Sequence, residues 1–328
     1  MRAAWYEKYG PAREVFQVGD MPTPVAGPGE VLVRVHASGV NPSDWKSRTG
    51  SRGPELPYPR IVPHSDGSGV IEAVGDGVDA GRVGERVWLY EGQWQRPFGT
   101  AAEYAALPSE HAVRLADSVG FDEAASIGIP VMTAHRCLMG DGPVAGMNVL
   151  VTGGAGAVGN YAVQLAKWAG ATVIATVSSE EKAAHAMKGG ADHVVSYRTE
   201  DVGARVLDLT GGKGVDRIVD VDFGANLPVT EQVLAANGSV GCYASTRERE
   251  PVVRYQFFSR RNASFRFVLV YSMPDAAKRQ AADDITQAIA DGALWHPIGA
   301  RFPLEEIAAA HEAQESDKVI GNIVVEVA

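Results

Sequence analysis

The run Val149-Leu-Val-Thr-Gly-Gly-Ala-Gly-Ala-Val-Gly159 decides how this chain folds. It sets G-x-G-x-x-G at Gly154, Gly156 and Gly159, after the short buried strand Asn148 to Thr152 and before the amphipathic helix Tyr161 to Ala169, which Gly170 stops. In that setting Gly154 permits the tight turn, Gly156 lets the backbone approach a pyrophosphate, and Gly159 lets the helix pack close to the strand. The helix N-terminus then offers free N–H groups and a positive dipole end to an anion. The spacing alone would be weak in a chain with 37 glycines, and the strand before and helix after are what give it meaning. The stretch reads as the nucleotide-binding turn of an α/β domain.

Strand and helix patterns alternate downstream. Strands are predicted at Thr172 to Val177, His193 to Ser196, Arg217 to Val221, Ser239 to Tyr243 and Phe265 to Tyr271. Helices are predicted at Glu180 to Lys188, Val202 to Leu209 and Glu231 to Ala236. This alternation implies a doubly wound parallel sheet covered on both faces. Glu123 to Met139 is helix-compatible, with Pro130 interrupting or kinking it. Upstream of Asp122 the chain is β-rich. Glu30 to His36 alternates apolar and polar residues, and Gly69 to Val74 and Arg86 to Tyr90 are further short strands between Gly and Pro clusters, as in a barrel or sandwich. Ala276 to Ala290 is a helix, and Val319 to Val327 is a closing strand that returns to the first domain. The predicted division is residues 1–123 with 273–328, and residues 124–272.

Composition bounds the function. The 328 residues are 45% hydrophobic and 21% charged, with a formal net charge of −10. Such a chain folds, and its length suits roughly two domains. Its acidity disfavours nucleic acid. The one notable basic cluster, Arg260-Arg261 with Arg254 and Arg266, reads as a solvated face or an interface. No apolar run approaches the ~20 residues of a membrane helix. Glu7 and Lys8 follow Arg2 too soon for a signal-peptide core. With Cys137 and Cys242 alone, a disulfide framework and a four-cysteine zinc site are excluded. A cytoplasmic protein is expected.

The tip of the second strand, Thr176-Val177-Ser178-Ser179, lacks the carboxylate that usually accepts the ribose hydroxyls of NAD. Lys182 lies just beyond it, and Tyr197 and Arg198 follow the third strand. These donors favour the 2′-phosphate of NADP. Glu180 and Glu181 argue mildly the other way, or simply suit a helix N-terminus.

A β-rich domain ahead of a nucleotide-binding domain is similar to the medium-chain dehydrogenase/reductase superfamily. Its zinc alcohol dehydrogenases use a Cys and then a His-Glu pair in the first domain. Here Asn41 stands for the Cys and Ser65 for the Glu, leaving His64 alone, whereas catalytic zinc needs about three protein ligands. No metal is expected. The stretches Ala37-Ser-Gly-Val-Asn-Pro42, Asp66-Gly-Ser-Gly-Val-Ile-Glu-Ala-Val-Gly75, Ile127-Gly-Ile-Pro-Val-Met-Thr-Ala134, Thr152 to Gly159 and Phe302 to His311 resemble the zinc-independent quinone oxidoreductases, the ζ-crystallin-like branch.

That resemblance spans nearly the whole chain. It implies a Rossmann domain plus a GroES-like barrel domain, and an NADPH-dependent reductase of quinones or of α,β-unsaturated carbonyls. Gly154, Ala155, Gly156, Ala157, Val158 and Gly159 would border the pyrophosphate. Ser178, Lys182 and Tyr197 would grip the 2′-phosphate. Asn226, Tyr243, Ala244, Ser245, Val268, Leu269 and Val270 would line the cofactor toward the nicotinamide, with Thr133 beside it. Asn41 and Lys46 would face the substrate, either one donating to the acceptor oxygen, and Lys46 would also touch the cofactor. Many members carry Tyr where Lys46 stands, and Asp44-Trp45-Lys46 looks more like relatives that reduce conjugated carbonyls. Val221 to Leu227 replaces a commoner glycine-rich turn. Two other readings are a non-catalytic NADPH-binding protein and an alcohol dehydrogenase with unusual metal ligands. The run Phe265 to Tyr271 is strongly apolar for a sheet edge, which predicts a homodimer or a higher homo-oligomer.

Overall fold

The computed structural model describes residues 1–51 and 53–327. Near the N-terminus, β1 (Arg2–Trp5) and β2 (Gln17–Asp20) pair antiparallel around the short helix α1 (Ala12–Val15). The alternating run at Glu30 extends past His36 to give β3 (Glu30–Val40). The helix α2 (Pro42–Arg48) follows, with proline at its first position, where the missing N–H is harmless. Then come β4 (Asp66–Val74), β5 (Arg86–Leu89), β6 (Tyr104–Pro108) and β7 (Ala112–Arg114). Val31, Val33 and Val35 point inward at period two onto Ile71, Val87, Leu89 and Leu107.

The predicted helix around Pro130 is two helices, α3 (Phe121–Ala124) and α4 (Gly128–Met139). The break precedes the proline, which sits in the first turn of α4, where it disrupts no helical hydrogen bond.

The Rossmann part runs β8 (Asn148–Val151), α5 (Ala157–Trp168), β9 (Thr172–Val177), α6 (Glu180–Lys188), β10 (His193–Ser196), α7 (Val202–Leu209), β11 (Val215–Asp220), α8 (Phe223–Val233), β12 (Leu234–Cys242), α9 (Tyr255–Ser259), β13 (Ser264–Phe267) and α10 (Asp275–Ala290). Its six strands are all parallel, in the order β10-β9-β8-β11-β12-β13. Leu150, Ile174, Val195, Ile218 and Val240 fill its core. The chain winds outward to β10, then returns across β8 to β11, so the order reverses between β8 and β11.

Of the predicted elements whose bounds shift, two have a reason in the packing. The helix expected at Glu231 to Ala236 is α8, which begins at Phe223, carries Pro228 inside it and ends at Val233, so that Leu234 to Ala236 belong to β12. Phe223 and Leu227, one helical turn apart, are both buried in the core. The strand expected to reach Tyr271 stops at Phe267, because Val270 and Tyr271 bury consecutively in a single 3₁₀ turn, which an alternating strand cannot do.

The chain closes with β14 (Ile298–Pro303), α11 (Ile307–Glu315) and β15 (Asn322–Glu326). β15 pairs antiparallel with β3, in the sheet order β14-β15-β3-β4-β5-β7 with β6 on β3. One compact unit holds Met1–Pro130 with His296–Ala328, and the other Val131–Trp295. The sequence division assigned α10 to the first unit; it lies in the second. There Lys278 Nζ donates to the Tyr271 carbonyl at 3.3 Å, and His135 Nε2 meets Asp284 at 2.7 Å. Gln164 exchanges bonds of 2.9 and 2.6 Å with the Trp295 backbone, so the chain leaves this unit only after Trp295.

The basic cluster dissolves into separate contacts: Arg254 pairs with Glu231, Arg266 with Asp141, and Arg261 lies over Phe257. Arg266 also reaches the Gly140 carbonyl, while buried Arg217 reaches those of Leu138 and Asp141. Both cover the carboxyl end of α4, where the helix dipole favours cations.

Candidate active site

Because β8 to β13 run in one direction, the residues that follow them share one edge of the sheet. Thr152 to Gly159, Ser178, Tyr197, Val221 to Asn226, Tyr243 to Ser245 and Val268 to Val270 all stand there. The structure thus gathers the residues expected at the pyrophosphate, at the adenosine and toward the nicotinamide. Lys182 is in the first turn of α6, and Thr133 is buried on α4.

The glycine turn differs in one detail from its reading. Gly153, at φ +68°, takes the left-handed conformation, and Gly154 does not. Gly154 is instead a close-packing position, where a Cβ would lie 2.6 Å from Ala175 Cβ. At Gly159 a Cβ would lie 2.2 Å from the Gly153 carbonyl oxygen, but at Gly156 the same contact is an ordinary 3.4 Å.

Gly156 opens α5 with no side chain to cap it. By contrast, α6 and α7 are capped by Ser179 and Asp201. The first amide bonded within α5 is Asn160, to Gly156 at 2.8 Å, so the N–H groups of Ala157, Val158 and Gly159 have no helical acceptor. That set of donors fits a pyrophosphate. At the tip of β9, Tyr197 N donates to the Val177 carbonyl at 3.1 Å, bringing Tyr197 beside Ser178. Glu180 and Glu181 are exposed in the first turn of α6.

Asp220, missed in the sequence, anchors the centre of this edge. It is fully buried and accepts from Thr152 Oγ1 (2.9 Å), Asn226 Nδ2 (2.6 Å) and Asp222 N (3.0 Å). Burial pushes its carboxyl up despite these bonds. Asn226 is therefore held by Asp220, and both tie the glycine turn to the end of β11. The only sequence signal was an acid closing the apolar run Ile218-Val219.

In the other unit, Asn41 is the N-cap of α2. Its backbone N donates to Asp44 at 2.7 Å, and its side-chain amide donates to buried Asp66 at 2.7 Å. The amide expected to face the acceptor thus commits one N–H to Asp66. Burial pushes the Asp66 carboxyl well above the usual range, and the charges of Asp44 and Glu91 add to this. Lys46 is half-buried, its Nζ 5.7 Å from the centre of the Trp45 ring.

His64 is not a free ligand. Both its ring nitrogens are engaged, Nδ1 with Ser38 Oγ at 2.8 Å and Nε2 with His311 Nε2 at 3.0 Å. With Asn41 and Ser65 at the other places, this donor set does not fit catalytic zinc. Thr100 donates to the Asp66 carbonyl, so Ser38 must donate to Thr100, 2.7 Å away. Ser38 then accepts from His64 Nδ1–H, and His64 Nε2 accepts from His311. The relay leaves His311 Nδ1 without a partner.

Over residues 27–117 the chain matches the family described as alcohol dehydrogenase GroES-like domain, and over 157–287 that described as zinc-binding dehydrogenase. It is 34% identical over 316 residues to the human quinone oxidoreductase, covering 95% of this chain and 93% of that protein. It is 32% identical over 337 residues to a 2-haloacrylate reductase of a Burkholderia species, covering 99% and 98%. Among solved structures, a mycobacterial protein complexed with NADPH is similar at a TM-score of 0.86 and 30% identity, covering 99% of this chain and 100% of that one. Fold, glycine turn and full-length similarity agree: the chain belongs to the quinone oxidoreductase family, the ζ-crystallin-like branch of the medium-chain dehydrogenase/reductase superfamily.

Proposed function

We propose that this protein reduces quinones with NADPH, in the cytoplasm and as a homodimer. The observation that carries the reading is the uncapped start of α5 over the Gly153–Gly159 turn, beside a β9 tip that ends on Ser178 rather than a carboxylate. NADPH, when bound, supplies the hydride. The amides of Ala157, Val158 and Gly159 hold its pyrophosphate, and Ser178, Lys182 and Tyr197 hold its 2′-phosphate. Asn226, Tyr243 to Ser245, Val268 to Val270 and Thr133 wall the site. Lys46 donates to the acceptor oxygen and stabilises the negative charge that develops there, while water completes protonation. Asn41, bound to Asp66, supplies at most its second N–H.

A second reading, reduction of α,β-unsaturated carbonyls, is favoured by Asp44-Trp45-Lys46 and by the reductase from Burkholderia. An acceptor screen with NADPH and NADH side by side separates the two. Quinones are expected to turn over fastest, and with NADPH. Turnover of enals alone would favour the second reading, and tight NADPH binding without turnover would end both. Lys46→Ala is expected to lower kcat/KM for the quinone on the order of 100-fold, with NADPH affinity nearly unchanged. Equal turnover in the variant would remove Lys46 from the mechanism.

For the homodimer we assign the edge at β13, the outer strand of its sheet, where Phe267 is 69% and Leu269 55% exposed. Phe267→Asp with Leu269→Asp is expected to give a monomer in sedimentation at micromolar concentration. A wild-type monomer there would argue against the assignment.

Among the described residues no helix is long and apolar enough to cross a membrane.

A further inference from the structure

We propose that Asp66 is a positioning residue for the reaction, a latch that fixes α2 and with it Lys46. The proposal rests on the reading that Lys46 meets the acceptor. Asp66 opens β4 and is fully buried, yet among the described residues no cationic side chain pairs with it. A buried carboxyl without a counter-ion is costly, so it persists only where hydrogen bonds replace water. It has two. Oδ2 accepts from Asn41 Nδ2 at 2.7 Å, and Oδ1 accepts from the Ile129 amide, in the first turn of α4, at 2.8 Å.

The surroundings are cut to this group. A Cβ at Gly128 would stand 2.2 Å from Asp66 Oδ1, and one at Gly39 would stand 3.1 Å from Asp66 Cβ. Oδ1 accepts from the Ile129 amide, and the other oxygen faces Asn41 and accepts from its NH₂ end. That fixes the rotation of the Asn41 amide. With its backbone N held by Asp44 at 2.7 Å, the N-cap of α2 is clamped through both main chain and side chain. Lys46 rides on the same seven-residue helix. A small shift of a positioned group is enough to cost a large factor in rate.

The test compares Asp66→Asn, Asn41→Asp and the exchange that carries both, each with Lys46 and with Lys46→Ala. In Asp66→Asn the new amide keeps its oxygen on Ile129 and turns its NH₂ onto that of Asn41, breaking the latch. In the exchange, the amide at position 66 donates to the carboxylate at position 41, and the hydrogen bond returns with its polarity reversed. Asp66→Asn is expected to lower kcat/KM for the quinone about 10- to 100-fold without changing NADPH affinity, and the exchange to recover most of it. In the Lys46→Ala background Asp66→Asn should cost less than about twofold, because the latch acts through Lys46. A full loss in that background would make Asp66 a fold determinant only, and would overturn the proposal. So would an exchange no better than either single change.

Deuterium uptake of residues 42–48 gives an independent reading, rising in the single variants and returning to the wild-type rate in the exchange. If Lys46→Ala alone leaves turnover intact, the assignment of Lys46 fails, and uptake then decides the latch: unchanged rates overturn it. If the single variants do not fold, the exchange carries the test. Wild-type turnover and uptake support the latch, and a folded exchange as slow as Lys46→Ala overturns it.

Discussion

Gly156→Ala is expected to keep its fold and lose most of its affinity for NADPH. Within the protein, the added methyl meets only the Gly153 carbonyl at 3.4 Å, an ordinary contact. Alanine is a poorer N-cap than glycine by at most about 1 kcal/mol, so Tm should move by no more than about 4 °C. Toward the ligand the case differs. The methyl stands at the mouth of α5, where the pyrophosphate must approach the free amides, and overpacking there of about 1–3 kcal/mol raises Kd roughly 5- to 150-fold. Thermal unfolding reads the effect on the fold, and calorimetric titration the effect on NADPH affinity. Gly159→Ala is the contrast: its methyl would sit 2.2 Å from backbone, so stability and binding fall together. Wild-type NADPH affinity in Gly156→Ala would take the glycine turn out of cofactor binding.

The parallel sheet was legible because its signals are local. The bounds of β9, α6 and α7 agree with the sequence reading, since a short apolar run, or an N-cap such as Ser179 or Asp201, marks each within a few residues. Where a stronger local signal pointed elsewhere, the reading failed. The turn-like Asp222 to Pro228 hid the first half of α8, although Phe223 and Leu227 stood at helical spacing. The site was legible as a set of positions, because a parallel sheet puts every strand end on one edge. Its partnerships were not legible. Asn41 meets Asp66 across 25 residues, Gln164 meets Trp295 across 131, and His64 meets His311 across 247. Such pairs carry no local pattern, and only the packed fold brings them into contact.

Acidification from pH 7 to pH 5 is expected to cost the fold about 4 kcal/mol through His64 and His311. Free histidine titrates near pH 6.5. Burial pushes His64 down to about 3 and His311 well below its ordinary value, where His64 and Arg48 add repulsion. The unfolded chain therefore takes up protons first. This contribution is complete above about pH 6.5 and is lost as the pH falls toward about 3, at roughly 2 kcal/mol per ring by pH 5. His296, pushed down to about 4 by burial, acts in the same sense. Asp66 and Asp220, whose carboxyls are raised, act in the opposite sense, because their contribution grows as the pH falls. Comparison with His64→Gly isolates the pair. The backbone at His64 has φ +76°, which glycine adopts freely, so that variant adds no backbone strain, and it should lose about half of the pair's acid sensitivity. Urea unfolding at pH 7, 6 and 5 measures both proteins, and parallel curves would show that the pair does not titrate as described.

The one-way relay from His311 through His64 and Ser38 to Thr100 also constrains descent. Replacing either imidazole alone takes away the partner of the other's Nε2, at a place where both rings are fully buried. The two sites should therefore drift as a couple, lost or altered in step along a lineage, while the solvent-facing residues of α11 diverge independently.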